Sequence, residues 1–115
     1  PAWRARTEAL SRAFTGVPER ISGMSSMLCA VDLLEEAACV VVAGDGGESL
    51  VAAALAAPDP ATVVVRVGKG AALGAGHPAF GKPTHGPATA YVCRGNVCGL
   101  PVSDAAALSR ALAAR

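Results

Sequence analysis

Between Ala2 and Thr15 the large apolar residues Trp3, Leu10 and Phe14 recur at offsets of seven and four, which sets them on one helical face and leaves Arg4, Glu8 and Arg12 elsewhere. This spacing predicts an amphipathic helix that ends near Gly16. Pro18 fits the first turn of a second helix, in which Ile21, Met24, Leu28 and Val31 repeat at three- and four-residue steps and Met27 and Leu34 widen the stripe. The two read as a helical hairpin over residues 1–36. After Glu35 and Glu36 the pattern changes to a continuous apolar run, Cys39-Val40-Val41-Val42-Ala43, which suits a strand buried on both faces. Gly44-Asp45-Gly46-Gly47 stops it. Glu48 to Ala57 then reads as a short helix with Leu50, Val51, Ala54 and Leu55 inward, and Thr62-Val63-Val64-Val65-Arg66-Val67 is a second β-branched run. Strand, helix and strand in this order make a βαβ unit, ordinarily a right-handed crossover between parallel strands.

From Gly68 to Pro87 glycine, proline and small residues dominate, which predicts an irregular surface loop of a length uncommon unless functional or mobile. A hairpin follows, Ala88 to Arg94 and Val97 to Val102, around Gly95-Asn96, two residues that tolerate the positive φ of a tight turn. Ser103 fits an N-cap, Asp104 suits the first turn, and Leu108 and Leu112 give a last helix its buried stripe. The predicted order is α-α-β-α-β-β-β-α. It describes an α/β chain of the α+β type: a helical hairpin, then a small domain over 37–115 with a mixed three- to four-stranded sheet and a terminal helix.

Composition narrows the reading. A hydrophobic fraction of 52% against 17% charged excludes a charge-extended disordered polymer, and 115 residues leave room for one modest core. With only 3% aromatic residues, that core must rest on Val and Leu. A net charge of +1 with scattered Lys and Arg gives no basis for a nucleic-acid partner. No apolar run approaches the roughly 20 residues needed to span a bilayer, and Pro58 and Pro60 interrupt the stretch from Val51 to Val65. A soluble, cytoplasmic chain with no membrane partner is expected. The first residues, Pro1 and Ala2, lead into a helix without the layout of a secretion signal. We expect this start to be a boundary with more chain upstream.

Four cysteines do not make a disulfide-dense scaffold, and Cys29 and Cys39, inside apolar segments, are expected to be small buried hydrophobes. Cys93 and Cys98 differ. Any symmetric loop of two or four residues around Gly95-Asn96 pairs them across the hairpin. Alternation then groups Thr89, Tyr91 and Cys93 with Cys98, Leu100 and Val102 on one apolar face, with Val92, Arg94, Gly99 and Pro101 on the other. Cα atoms of such a pair lie roughly 4.5–5.5 Å apart, inside the about 4.4–6.8 Å that a disulfide bridges. Three readings stand: two buried thiols packed against Tyr91 and Leu100, a reversible disulfide with Arg94 favouring the thiolate, or a zinc site. Zinc would also need His77 and His85, whose spacing does not match short finger separations.

Gly44-Asp45-Gly46-Gly47 joins a strand to a helix N-terminus, where backbone N–H groups can hold an anion. It lacks the GxGxxG spacing and the Lys-Ser/Thr of phosphate loops, so Asp45 reads first as a turn or capping residue. Asp32, Glu35 and Glu36 read as a solvated rim. No serine stands in a nucleophile elbow. We expect no catalytic residue, no metal and no cofactor.

The string Ala90-Tyr91-Val92-Cys93-Arg94-Gly95-Asn96-Val97-Cys98-Gly99-Leu100-Pro101, followed by a terminal helix, resembles the C-terminus of the spermatogenesis-associated protein 20-like family. The likeness extends to His77-Pro78-Ala79-Phe80-Gly81-Lys82, to the Val-rich run entering Gly44-Asp45, and to Met27-Leu28-Cys29-Ala30-Val31-Asp32. Gly99-Leu100 departs from it, since polar residues often follow the second cysteine in relatives. The resemblance implies an upstream thioredoxin-like domain and an α/α toroid of the six-hairpin glycosidase type, with residues 1–36 closing the toroid. It carries over only Cys93 and Cys98 as candidate site residues. The expected function is that of a non-catalytic C-terminal structural and interaction domain, partnered by upstream domains of the same polypeptide or by a second copy through the N-terminal helices. The alternative is a thiol–disulfide redox module built on Cys93 and Cys98, and a small-ligand module at residues 44–48 is a third reading.

Overall fold

Helix-forming residues with one charged edge open the chain as α1, Ala2–Phe14, in a computed structural model that describes residues 2–14, 23–95 and 97–114. Glu8 is held between two arginines one turn away, with Arg4 Nε 3.0 Å and Arg12 Nη2 3.5 Å from its carboxylate, the spacing at which helical side chains meet. A second helix, α2, covers Ser25–Glu35, and Arg4 Nη2 donates to the Leu34 carbonyl at 3.4 Å. Neither helix buries a residue: Trp3 is 79% exposed, and Leu10, Phe14, Leu28 and Leu33 are also exposed. The expected helix stop at Gly16 and the second helix's first turns at Pro18 and Ile21 lie outside the described residues. The two helices belong to one compact unit, Pro1–Glu35, and the rest of the chain to another, Glu36–Arg115.

The second unit is an α+β fold around a four-stranded mixed sheet. Its strands are β1 (Ala38–Ala43), β2 (Thr62–Val67), β3 (Thr89–Arg94) and β4 (Val97–Cys98), in the spatial order β2-β1-β3-β4. Strand β1 pairs in parallel with β2 and antiparallel with β3, and β3 pairs antiparallel with β4. The parallel pair is joined through α3 (Glu48–Leu55), and α4 (Ala105–Ala113) closes the chain.

Alternation along β1 divides the core into two. Ala38, Val40 and Val42 face α3 and α4, where Leu50, Ala54, Leu108 and Leu112 meet Ala90 and Val92 of β3. Small alanines at the contact let the two helices approach the sheet and each other. Within α3 the stripe is narrower than its apolar sequence predicts. Leu50 and Ala54, four apart, take the inward line and Val51 its margin, while Leu55 falls about 140° around the helix and is 70% exposed. Ser103 is not the cap of α4. The helix starts one residue later than that reading requires, and Asp104 is the N-cap, its Oδ1 accepting from the Ala107 N–H at 2.8 Å.

Among the described residues, no helix of this unit packs on the opposite face. Val41, Ala43, Val67, Tyr91 and Cys93 form its core, and residue Ala79 of the 68–87 segment is fully buried against it, with Leu73 partly so. Lys82 Nζ sits 4.7 Å from the Tyr91 ring centre. The segment is irregular, as expected, yet it serves as a cover. It is pinned at its far end, where Asp45 N–H donates to Gly86 O and Ala88 N–H to Asp45 O, both at 2.9 Å. Its two flanking strands meet at one residue, since Val67 and Thr89 both pair with Ala43.

The hairpin keeps its predicted register only beside the turn. Continuing the Cys93↔Cys98 pairing would place Val102 opposite Thr89, but Val102 lies opposite Ala90 and exchanges both backbone bonds with it, at 2.7 and 2.8 Å. One extra residue is therefore inserted between Cys98 and Val102, a bulge. Pro101 has no N–H to give to a ladder, which favours the break there. A one-residue slip exchanges faces. Val102 accordingly packs on the helix side with Ala90, and Leu100 is 87% exposed, so neither stands beside Tyr91 and the cysteines as predicted.

The two leucines test this packing. Leu108→Ala is expected to lower unfolding free energy by about 2–5 kcal/mol in urea denaturation, whereas Leu55→Ala changes it by no more than about 0.5 kcal/mol.

Candidate functional site

Gly95, at φ +57°, turns the chain between Arg94 and Val97, and this closure brings Cys93 and Cys98 opposite each other. Their Cα atoms are 3.9 Å apart and the two are joined by a disulfide. The separation is shorter than the sequence reading expects. Of the three readings of this pair, the structure adopts the disulfide. Cys93 is buried among Val41, Tyr91 and Ala79, while Cys98 is half-buried on the edge strand. Arg94 is adjacent in sequence but lies on the other face of β3, as alternation requires.

The other cysteines depart from expectation. Cys29 is exposed on α2 and is not a buried hydrophobe. Its segment is apolar, but neither helix of that unit has a core in which to bury it. Cys39 is half-buried, and loss of water around its thiol pushes its pKa up from the ordinary range. Its partner on β3 is Cys93 itself. Because Cys93 pairs with Cys98 in turn, β1, β3 and β4 set Cys39, Cys93 and Cys98 side by side in one row on the face opposite α3 and α4. Sequence reasoning reaches the local pair through its turn. It misses Cys39, whose place depends on a β1–β3 pairing across more than fifty residues.

The glycines of 44–47 have packing duties. Gly44 has φ +103°, and a Cβ there would sit 2.8 Å from Gly86 O and 2.9 Å from Pro87 O. A Cβ on Gly47 would meet Val42 Cγ1 at 2.7 Å. The backbone of β1, α3 and residues 86–88 thus converges too closely for any side chain at these two positions. Asp45 is exposed and bridges to Pro87 through its backbone. Gly46 is exposed. At the start of α3 the negative charge is supplied from within: Glu48 is in the first turn, its pKa lowered by a backbone hydrogen bond and by Arg66, whose Nη2 donates to it at 2.6 Å. An outside anion would compete with that carboxylate.

His77 Nδ1 accepts from the Ala79 N–H at 3.1 Å, so this nitrogen is engaged in shaping the loop. Among the described residues, no group of three or more His, Cys, Asp or Glu side chains comes together as a metal site. Asp32, Glu35 and Glu36 are exposed. No helix among the described residues is long and apolar enough to cross a membrane.

A brief alkylation pulse on the non-reduced chain is expected to modify Cys29 and Cys39 before Cys93 or Cys98, as read by peptide mass spectrometry. Because burial raises the Cys39 pKa, its thiolate appears at higher pH than in the unfolded chain. The rate of Cys39 labelling should therefore keep climbing above the pH at which the unfolded chain's rate levels off. No protein-family model matches this chain, and no curated protein or solved structure is significantly similar to it.

Proposed function

We propose that the Glu36–Arg115 unit is a thiol–disulfide module in which Cys93 and Cys98 cycle between disulfide and dithiol. The observation that carries this reading is the bonded pair itself, seated at the open edge of the sheet with Cys98 on a two-residue strand. Its energetics favour a switch over a staple. The bond links residues only five apart, and closing so short a loop constrains the unfolded chain by about 2 kcal/mol, well below the roughly 4–5 kcal/mol of a long loop. The turn and the Arg94–Val97 pair already hold the two strands together. On oxidation the two thiols give two electrons and two protons to a disulfide-bearing oxidant, which leaves as a dithiol or as two thiols. A reducing cytoplasmic setting would keep the pair chiefly as thiols.

The test is a titration of the chain in mixtures of reduced and oxidised glutathione, with acid trapping and mass analysis. Cys93 and Cys98 are expected to convert together, with a midpoint inside the glutathione range. Two thiols that stay free and unreactive until the protein is denatured would sink the reading.

A second reading is favoured by a separate observation. Helices α1 and α2 bury nothing, and Trp3, Leu10 and Phe14 stand exposed on an amphipathic face. Together with the resemblance of the AYVC hairpin string to the spermatogenesis-associated protein 20-like C-terminus, this supports a non-catalytic structural domain. It would complete a larger polypeptide with thioredoxin-like and six-hairpin glycosidase-like parts, and when alone it would cover its apolar face with a second copy. Sedimentation of the 115-residue chain should show a dimer, or a monomer that binds hydrophobic dye. A monodisperse monomer without dye binding would exclude that role for the helices.

A further inference from the structure

The cysteine row holds one more thiol than a two-cysteine cycle uses. Backbone directions on β3 say how that thiol stands to the disulfide. Val92 O accepts from Gly99 N, and Ala90 exchanges both its bonds with Val102, so residues 90 and 92 turn their polar groups toward the β4 side. Residues 91 and 93 therefore turn theirs toward β1, because successive residues of a strand alternate in this respect. Cys39 and Cys93 thus form the hydrogen-bonded kind of antiparallel pair, with Cα atoms roughly 5.5 Å apart. That value lies inside the about 4.4–6.8 Å over which a disulfide forms without backbone movement. Cys93 stands within bonding reach of a cysteine on either side.

We propose that Cys39 is the third member of a cysteine relay, exchanging with the Cys93–Cys98 disulfide so that the bond migrates inward and Cys98 is released at the sheet edge. This rests on the reading of Cys93–Cys98 as a redox pair and adds its internal partner. In the step, the Cys39 thiol loses its proton to solvent and its sulfur attacks Cys93 Sγ. The Cys39–Cys93 bond forms as the Cys93–Cys98 bond breaks, and the electron pair leaves on Cys98, which takes up a proton. One disulfide and one thiol are present before and after, so no outside oxidant or reductant is consumed. The order across the strands, Cys39 then Cys93 then Cys98, is the order of nucleophile, central sulfur and leaving group that thiol–disulfide exchange requires.

The two states differ in what they present. With Cys93–Cys98 closed, the half-buried Cys39 is the free thiol of the row. With Cys39–Cys93 closed, the free thiol is Cys98, beside exposed Val97 on the outermost strand and two residues before exposed Leu100. The relay therefore moves a reactive thiol from the second strand of the sheet to its rim, where a disulfide-bearing partner can reach it.

Disulfide mapping of the whole chain in a Cys29→Ser background tests this. Trypsin cuts after Arg94 and so separates Cys93 from Cys98, while Cys39 lies on the peptide ending at Arg66. After oxidation by glutathione, the Cys98→Ser variant should link Cys39 to Cys93 in most molecules. In the oxidised parent, prolonged alkylation should capture Cys98, and Cys39→Ser should cut that capture at least tenfold. If Cys98→Ser retains its native circular dichroism yet leaves Cys39 and Cys93 unlinked, the relay is wrong while the redox pair stands. The same holds if Cys39→Ser leaves Cys98 capture in the oxidised chain unchanged, a comparison that does not depend on the folding of Cys98→Ser. If the parent forms no linkage between any two of the three, both the relay and the redox reading fall.

Discussion

A strand that is hydrogen-bonded along both edges and covered on both faces has no place for a polar side chain, and β1 lives under that constraint from Val40 to Ala43. Val40, Val41, Val42 and Ala43 are fully buried, each valine contributing about 1.5–3 kcal/mol by leaving water. The remainder of the Glu36–Arg115 unit is arranged to satisfy this one segment. Strands β2 and β3 complete its two ladders, α3 and α4 cover one face, and the long 68–87 segment covers the other. A chain so poor in aromatic residues can still fold in this way because its aliphatic area is concentrated where two layers share it.

What could be read from the sequence follows from how local each determinant is. The β-branched runs at 38–43 and 62–67, the helix between them, and the turn that opposes Cys93 to Cys98 all declare themselves within a dozen residues. The rest depends on partners far away in the chain or on a single-residue offset. Alternation counted outward from the turn assigns Val102 to the wrong face, because the count survives only until the extra residue after Cys98. Leu55 is as apolar as Leu50, and only the angle around α3 separates exposed from buried. Cys39 reads as one more small residue in a buried strand until the β1–β3 register sets it beside the disulfide.

The same register decides what chemistry the sheet can host. Cysteines on adjacent strands meet only if their residues face each other and point to the same side, and both conditions hold twice across β1, β3 and β4. They are met on the face opposite α3 and α4, where the cover from this unit is a loop with few apolar anchors. Loops with few buried apolar contacts open locally at a small cost compared with global unfolding, and Ala79 and Leu73 are the loop residues packed in the cluster that holds Cys93. The helix-covered face is packed more fully, with Leu108 and Leu112 in one cluster with residues of β1 and β3.

The ends of the 68–87 loop carry a last consequence. Both flank Ala43, so they stand only two strand spacings apart, roughly 10 Å, a gap that a connector of about three or four extended residues would span. The chain spends twenty residues there because it is roofing a surface, not bridging a distance. Length in this segment is therefore answerable to the area of valine and tyrosine beneath it. Natural variants that lengthen or trim it should leave strand order untouched while they set how much of the sulfur row meets the solvent.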